Sequence, residues 1–127
     1  MLNLSHKTLE VYKTSLLMVN EVYLLTNQYP ATERFGLISQ LRRAAVSVSS
    51  NIAEGCSRIS LKEKLRFFEI SRSSLVEIDT QLEISLSMKY LNRDQITALE
   101  NRVESTFKML SKMISNLELK TPLATRH

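Results

Sequence analysis

Apolar residues recur every three or four positions along most of the chain, the spacing of α-helices that each bury one stripe. From about residue 5 to residue 29 the stripe reads Leu9, Tyr12, Leu16, Val19 and Tyr23. Pro30 closes it, because the residue before a proline is pushed out of helical torsions. A second helix, about 33–56, follows Thr32 as N-cap and carries Phe35, Ile38, Leu41, Ala45, Val48 and Ile52 inward, with Gly55 as a natural stop or an end two or three residues later. Ser60 and Glu63 have capping-box spacing and open a third helix, about 61–90, with Leu61, Leu65, Phe68, Leu75, Leu82 and Leu86 inward. Asn92 and Gln95 repeat that spacing before a fourth, about 93–119, whose heptad reads Ile96, Leu99, Val103, Thr106, Leu110, Met113 and Leu117.

Links of a few residues between long helices make each pack antiparallel to its predecessor. The pattern therefore predicts an all-α, antiparallel up-down-up-down four-helix bundle spanning 1–127 as one domain, with a flexible tail at 120–127. The two halves share no residue-level similarity, which disfavours a solenoid.

Three features exceed what such a bundle needs. Helix one also carries Val11, Leu17, Met18, Val22, Leu24 and Leu25, and helix three Phe67, Ile70 and Ile78, more apolar surface than one seam covers. Homo-oligomerisation accounts for the excess; a monomer with scattered exposed apolar residues is the alternative. On helix two, Gln40, Arg43, Ser47, Asn51, Glu54 and Arg58 form a polar row, either a solvated face or a hydrogen-bonding row that meets a partner. Arg42 and Arg72 project near apolar faces. They are expected either to pair with Asp79, Glu83 or Glu77 across helices or to snorkel to the bundle edge.

Composition narrows the function class. Two glycines and two prolines in 127 residues are too few for the turns of a β or α/β fold. The longest apolar run, Leu16 to Val19, falls far short of the ~20 residues a membrane span requires, and the start lacks the pattern of a secretory signal, so a cytoplasmic protein is expected. Cys56 is the single cysteine, and His6 and His127 lie far from it, so neither a disulfide framework nor a metal cluster is expected, nor any cofactor. With no Ser-His-Asp set, glycine-rich phosphate loop or Glu-x-x-His pair, the expectation is a binding protein and not an enzyme.

The formal net charge is +4, and positive charge gathers at mid-chain, centred on the turn between helices two and three. Arg58, Lys62 and Arg66 are four apart around it. With Arg43 and Lys64 they are the candidate nucleic-acid contacts, gripping phosphates without regard to sequence; solvated charge is the alternative.

The segment FGLISQLRRAAVSVSSNIAEGCSR, Phe35 to Arg58, resembles the signature of a bacterial four-helix-bundle family named after proteins encoded in 23S rRNA intervening sequences. The matching residues are Phe35-Gly36-Leu37, Gln40 to Val48 and Asn51 to Gly55, with Phe67/Phe68 and Ser74-Leu75-x-Glu77 beyond; Cys56 stands where the family often has an aromatic. The resemblance implies a left-handed bundle assembling as a homopentameric ring. It also implies distant kinship to the basic accessory variability proteins of diversity-generating retroelements, hence binding of RNA or DNA and of a reverse transcriptase or other nucleoprotein. The motif positions carried over are Gln40, Arg42, Arg43, Asn51, Glu54 and Glu77, as a polar network or as ligand contacts. A structural or adaptor oligomer that binds protein without nucleic acid is the competing function.

Overall fold

A computed structural model describes residues 1–120, and among these every regular element is helical. The α-helices are α1 (Glu10–Thr26), α2 (Leu37–Ser57), α3 (Leu61–Ser87) and α4 (Arg93–Lys120), with 3-10 turns at Ser5–Thr8 and Ala31–Glu33. The tail expected beyond Lys120 lies outside the described residues. All four helices contribute to one core, in which Met18, Leu41, Ile52, Leu75, Ile78, Ile96 and Leu110 are sealed from solvent.

Hydrogen bonds set the register between helices. Across α2 and α3, which share the most extensive seam, Ser71 Oγ donates to Val48 O (2.8 Å), Ser74 Oγ to Ser47 Oγ (2.9 Å) and Gln81 Nε2 to Gln40 Oε1 (3.5 Å), so falling numbers on one helix meet rising numbers on the other. Small residues make this closeness possible. Ala44, Ala45 and Gly55 are buried on α2, and the buried α3 serines each find an acceptor, as buried hydroxyls must. On α1, Ser15 meets Ser49 of α2 (2.8 Å) and Glu21 pairs with Arg102 of α4; just past its end, Gln28 accepts from Gln95 of α4 (2.9 Å).

The buried stripe of α1 is not the one expected. Val11, Ser15, Met18, Val22 and Leu25 face the core, while Leu9, Leu16 and Tyr23 are exposed. Both faces of α1 are apolar, and the one that wins includes Ser15 and Thr26, whose hydroxyls bond back to Tyr12 O and Val22 O. The helix also ends at Thr26, not Tyr29; Tyr29 is buried beyond it, donating its hydroxyl to Ser85 Oγ (2.7 Å). In α4 the stripe ends on Ile114, with Met113 half-buried.

Three terminus assignments change as well. Thr32 does not cap α2: the helix begins at Leu37, whose N–H donates to the Glu33 carboxylate (3.1 Å), and Phe35 precedes it fully exposed. Helix α2 ends at Ser57, two residues past Gly55 and within the expected range, but Gly55 itself lies inside it and does not terminate it; a Cβ there would stand 2.6 Å from the Phe68 ring. Helix α3 stops at Ser87, closed by Lys89 at φ 62° and by the Tyr90 N–H on Ser85 O (3.0 Å), the left-handed closure usually made with glycine. The Asn92–Gln95 box is complete, with reciprocal bonds (2.9 and 3.1 Å), whereas at α3 only half of it forms: Ser60 Oγ accepts from Glu63 N–H while the Glu63 carboxylate turns to Arg58 (3.5 Å).

Glu33 ties the α1–α2 link to the end of α3. Its carboxylate accepts from the Tyr90 hydroxyl (2.7 Å) and from Leu37 N–H, and these bonds, the phenol's first, hold its pKa below the usual carboxylate value. A lowered folded-state pKa stabilises above the unfolded pKa, and that contribution is lost as pH falls through the folded value. Glu33→Gln should therefore melt lower than the parent near neutrality. The gap should close on acidification below about pH 4, as thermal denaturation across pH would record.

Candidate nucleic-acid interface

The turn between α2 and α3 draws the basic residues of mid-chain together, but not into equivalent roles. Arg58 adopts an extended conformation just past α2, and Ser60 caps α3 two residues later. The Arg58 guanidinium lies 3.0 Å from Glu54 and 3.5 Å from Glu63, and its carbon is 4.9 Å from the Phe67 ring centroid. Its charge is thus largely answered locally, although such half-exposed pairs each add only ~0–1 kcal/mol. Lys64 turns inward instead of out. Its Nζ donates to Cys56 O (3.2 Å) and to Gly55 O (3.4 Å), which also accepts the Arg58 N–H (3.3 Å), and so complements the helix dipole at the end of α2.

Lys62 and Arg66 remain outward. Both are exposed, they stand one helical turn apart on α3, and among the described residues neither joins an ion pair; Arg66 lies 5.7 Å from the Phe67 centroid. Arg43 is exposed too, but fifteen residues before Arg58 on a continuous helix puts it about 22 Å away along the axis, outside this cluster.

The polar row of α2 divides in two. Its upper part faces α3: Gln40 accepts from Gln81, Ser47 from Ser74, and Asn51 Nδ2 donates to Ser47 O (2.8 Å) and Ser47 Oγ (3.0 Å). Its lower part is local, with Glu54 holding Arg58 and accepting from Ser57 Oγ (3.3 Å). Arg42 does not join either part. It turns to α1, donating to Thr26 Oγ1 (2.9 Å) and Asn27 Oδ1 (3.0 Å) above the Tyr23 ring (4.6 Å). Arg72 likewise donates to Ser111 Oγ (3.3 Å) near Phe107, so neither arginine takes the expected carboxylate at Asp79, Glu83 or Glu77. Hydroxyls and aromatic faces meet the arginines at the edge, sparing the cost of burying a carboxylate. Glu77 is exposed and outside both networks.

Phe67 is the residue this cluster adds to the basic ones. The pattern shows it only as surplus apolar surface, whereas here its ring lies near the guanidinium groups of Arg58 and Arg66, beside a groove reaching Asn51, Glu54 and His6. Cys56 is half-buried, and burial pushes its thiol pKa up against the opposing charge of Lys64. Among the described residues no group of His, Cys, Asp and Glu is placed to hold a metal, and no helix is long and apolar enough to cross a membrane.

A family model described as 23S rRNA-intervening sequence protein matches residues 7–112. The chain is similar in structure to a protein of unknown function from the S23 ribosomal protein family of Bacteroides thetaiotaomicron VPI-5482: TM-score 0.74, 21% identity, covering 82% of this chain and 97% of that one. At that identity the likeness concerns the fold. No curated protein matches the chain.

Proposed function

The chain belongs to the 23S rRNA-intervening sequence protein family, and from that premise we propose that it is a non-catalytic, homo-oligomeric protein that binds RNA or DNA. The observation that carries this reading is the pair Lys62 and Arg66, exposed, a turn apart and outside any ion pair, next to the α2–α3 turn. Such a pair suits phosphates, and each phosphate neutralised releases counterions, which makes the affinity salt-dependent and independent of sequence. The bundle runs antiparallel, up-down-up-down and left-handed, and the assembly is a pentameric ring, as the family resemblance implies. Within the cytoplasm its role is that of an accessory subunit to a ribonucleoprotein or a reverse transcriptase.

A second reading has its own observation. Leu16, Leu17, Tyr23 and Leu24 on the outer side of α1 are 40–67% exposed, an apolar face of the kind that contacts protein. It supports self-assembly in either case, and it supports an adaptor ring if nucleic acid plays no part.

Fluorescence-anisotropy titration of the oligomer, sized by light scattering, against structured RNA and duplex DNA at two salt concentrations separates the two. Binding should fall steeply with salt, and the double variant Lys62→Ala/Arg66→Ala should weaken it on both ligands and lower the salt slope by about one per lost phosphate contact. A well-formed oligomer that binds neither at low salt would leave the adaptor reading in its place.

A further inference from the structure

An open groove of about 590 Å³ runs between the N-terminal segment, the lower face of α2 and the start of α3, within the size range of small-molecule sites. Phe67 forms one wall, half-buried, with the Arg58 and Arg66 guanidinium carbons 4.9 and 5.7 Å from its ring centroid. The other wall carries Asn51 and Glu54. Asn51 directs its amide donors to Ser47, which leaves its Oδ1 as an acceptor, and the Glu54 carboxylate, which already accepts from Arg58 and Ser57, keeps further lone pairs; the Ser50 and Ser57 hydroxyls and His6 also line the groove. With Glu54 paired to Arg58, this wall offers a phosphate no free positive charge. It favours a flat, uncharged ligand that offers N–H donors at its edge and a π-face to the ring.

Taking the nucleic-acid reading above as its basis, we infer that the groove holds an unpaired base stacked on Phe67, its exocyclic amine toward Asn51 and Glu54, while Lys62 and Arg66 follow the strand's phosphates. The ligand class is therefore single-stranded nucleic acid, or a loop with an extruded base. Arginine planes and aromatic rings are the surfaces on which splayed bases stack, and here both kinds share one wall. A neutral peptide would leave Lys62 and Arg66 without partners and an acidic one would bring no flat ring to Phe67, whereas a nucleic-acid strand brings a phosphate with every base.

The test uses the full-length oligomer and anisotropy with short single strands of oligo-C and oligo-U, an abasic strand of equal phosphate number, and a blunt hairpin. Oligo-C should bind tighter than the abasic strand. Phe67→Leu, whose folding is checked by circular dichroism melting, should lose about 5- to 100-fold on oligo-C with little change on the abasic strand, and its salt slope should be unchanged because no phosphate contact is removed. Phe67→Tyr, which keeps a stacking face, should stay close to the parent. Equal binding of oligo-C and abasic strands, or a Phe67→Leu variant that retains parental affinity for oligo-C, would overturn the stacking site while leaving salt-dependent phosphate binding in place. Equal affinity for oligo-U and oligo-C would overturn the role given to Asn51 and Glu54. Absence of binding to every strand and to the hairpin would overturn this inference and the nucleic-acid reading together.

Discussion

Replacing Met18 with alanine is expected to cost ~2–5 kcal/mol of unfolding free energy, the range for truncating a sealed core side chain to a cavity. Met18 is 0% exposed and lies on the α1 stripe with Val11, Ser15, Val22 and Leu25. Leu16, two residues earlier on the opposite side, is 42% exposed, and Leu16→Ala should change the stability of the bundle itself by less than ~0.5 kcal/mol. Urea unfolding of both variants at low protein concentration reads the difference. The reverse ranking would mean that α1 is rotated to bury Leu9, Leu16 and Tyr23. At high concentration Leu16→Ala should instead weaken self-association, since it removes apolar surface from the outer face.

Gly55 should accept added side-chain bulk poorly despite sitting inside a helix. Alanine there gains ~1 kcal/mol of helix propensity, but its Cβ would stand 2.6 Å from the buried Phe68 ring, and overpacking of this kind costs ~1–3 kcal/mol. A small net loss is expected for Gly55→Ala, and a loss of ~3 kcal/mol or more for Gly55→Val, which adds branching to the same clash. The cause can be isolated with Phe68→Leu. In that background Gly55→Ala should turn neutral or stabilising, and a double-mutant cycle by thermal denaturation would show the coupling. A Gly55→Ala that destabilises equally with leucine at position 68 would place the problem elsewhere than the ring.

How much of the candidate site was visible in the pattern follows from what each residue touches. The pair Lys62 and Arg66 could be read from spacing alone, because residues four apart on a helix share a side wherever that side points, and Arg58 from its place in the turn before that helix. The division of labour within the cluster could not. Lys64 reaches back to Gly55 O and Cys56 O, and Arg58 sits among Glu54, Glu63 and Phe67, contacts that depend on how the turn folds α3 back on α2. Arg42 is the clearest case. Its hydroxyl, amide and ring partners are at the end of α1 and just past it, fifteen to nineteen residues away, and no charge pattern points to Thr26, Asn27 or Tyr23.

What the sequence determined by itself is local: helical periodicity, the scarcity of glycine and proline, and caps such as Asn92 with Gln95, whose bonds form within one turn of chain. Tertiary structure decided which face of α1 turns inward, because two apolar stripes compete there and the choice goes to the one whose hydroxyls, Ser15 and Thr26, find partners on α2. It also decided that Gly55 serves close packing and not termination, since a glycine inside a helix and one ending it look alike until Phe68 is seen against it. Periodicity specifies that a face is buried; only the neighbouring helix specifies against what.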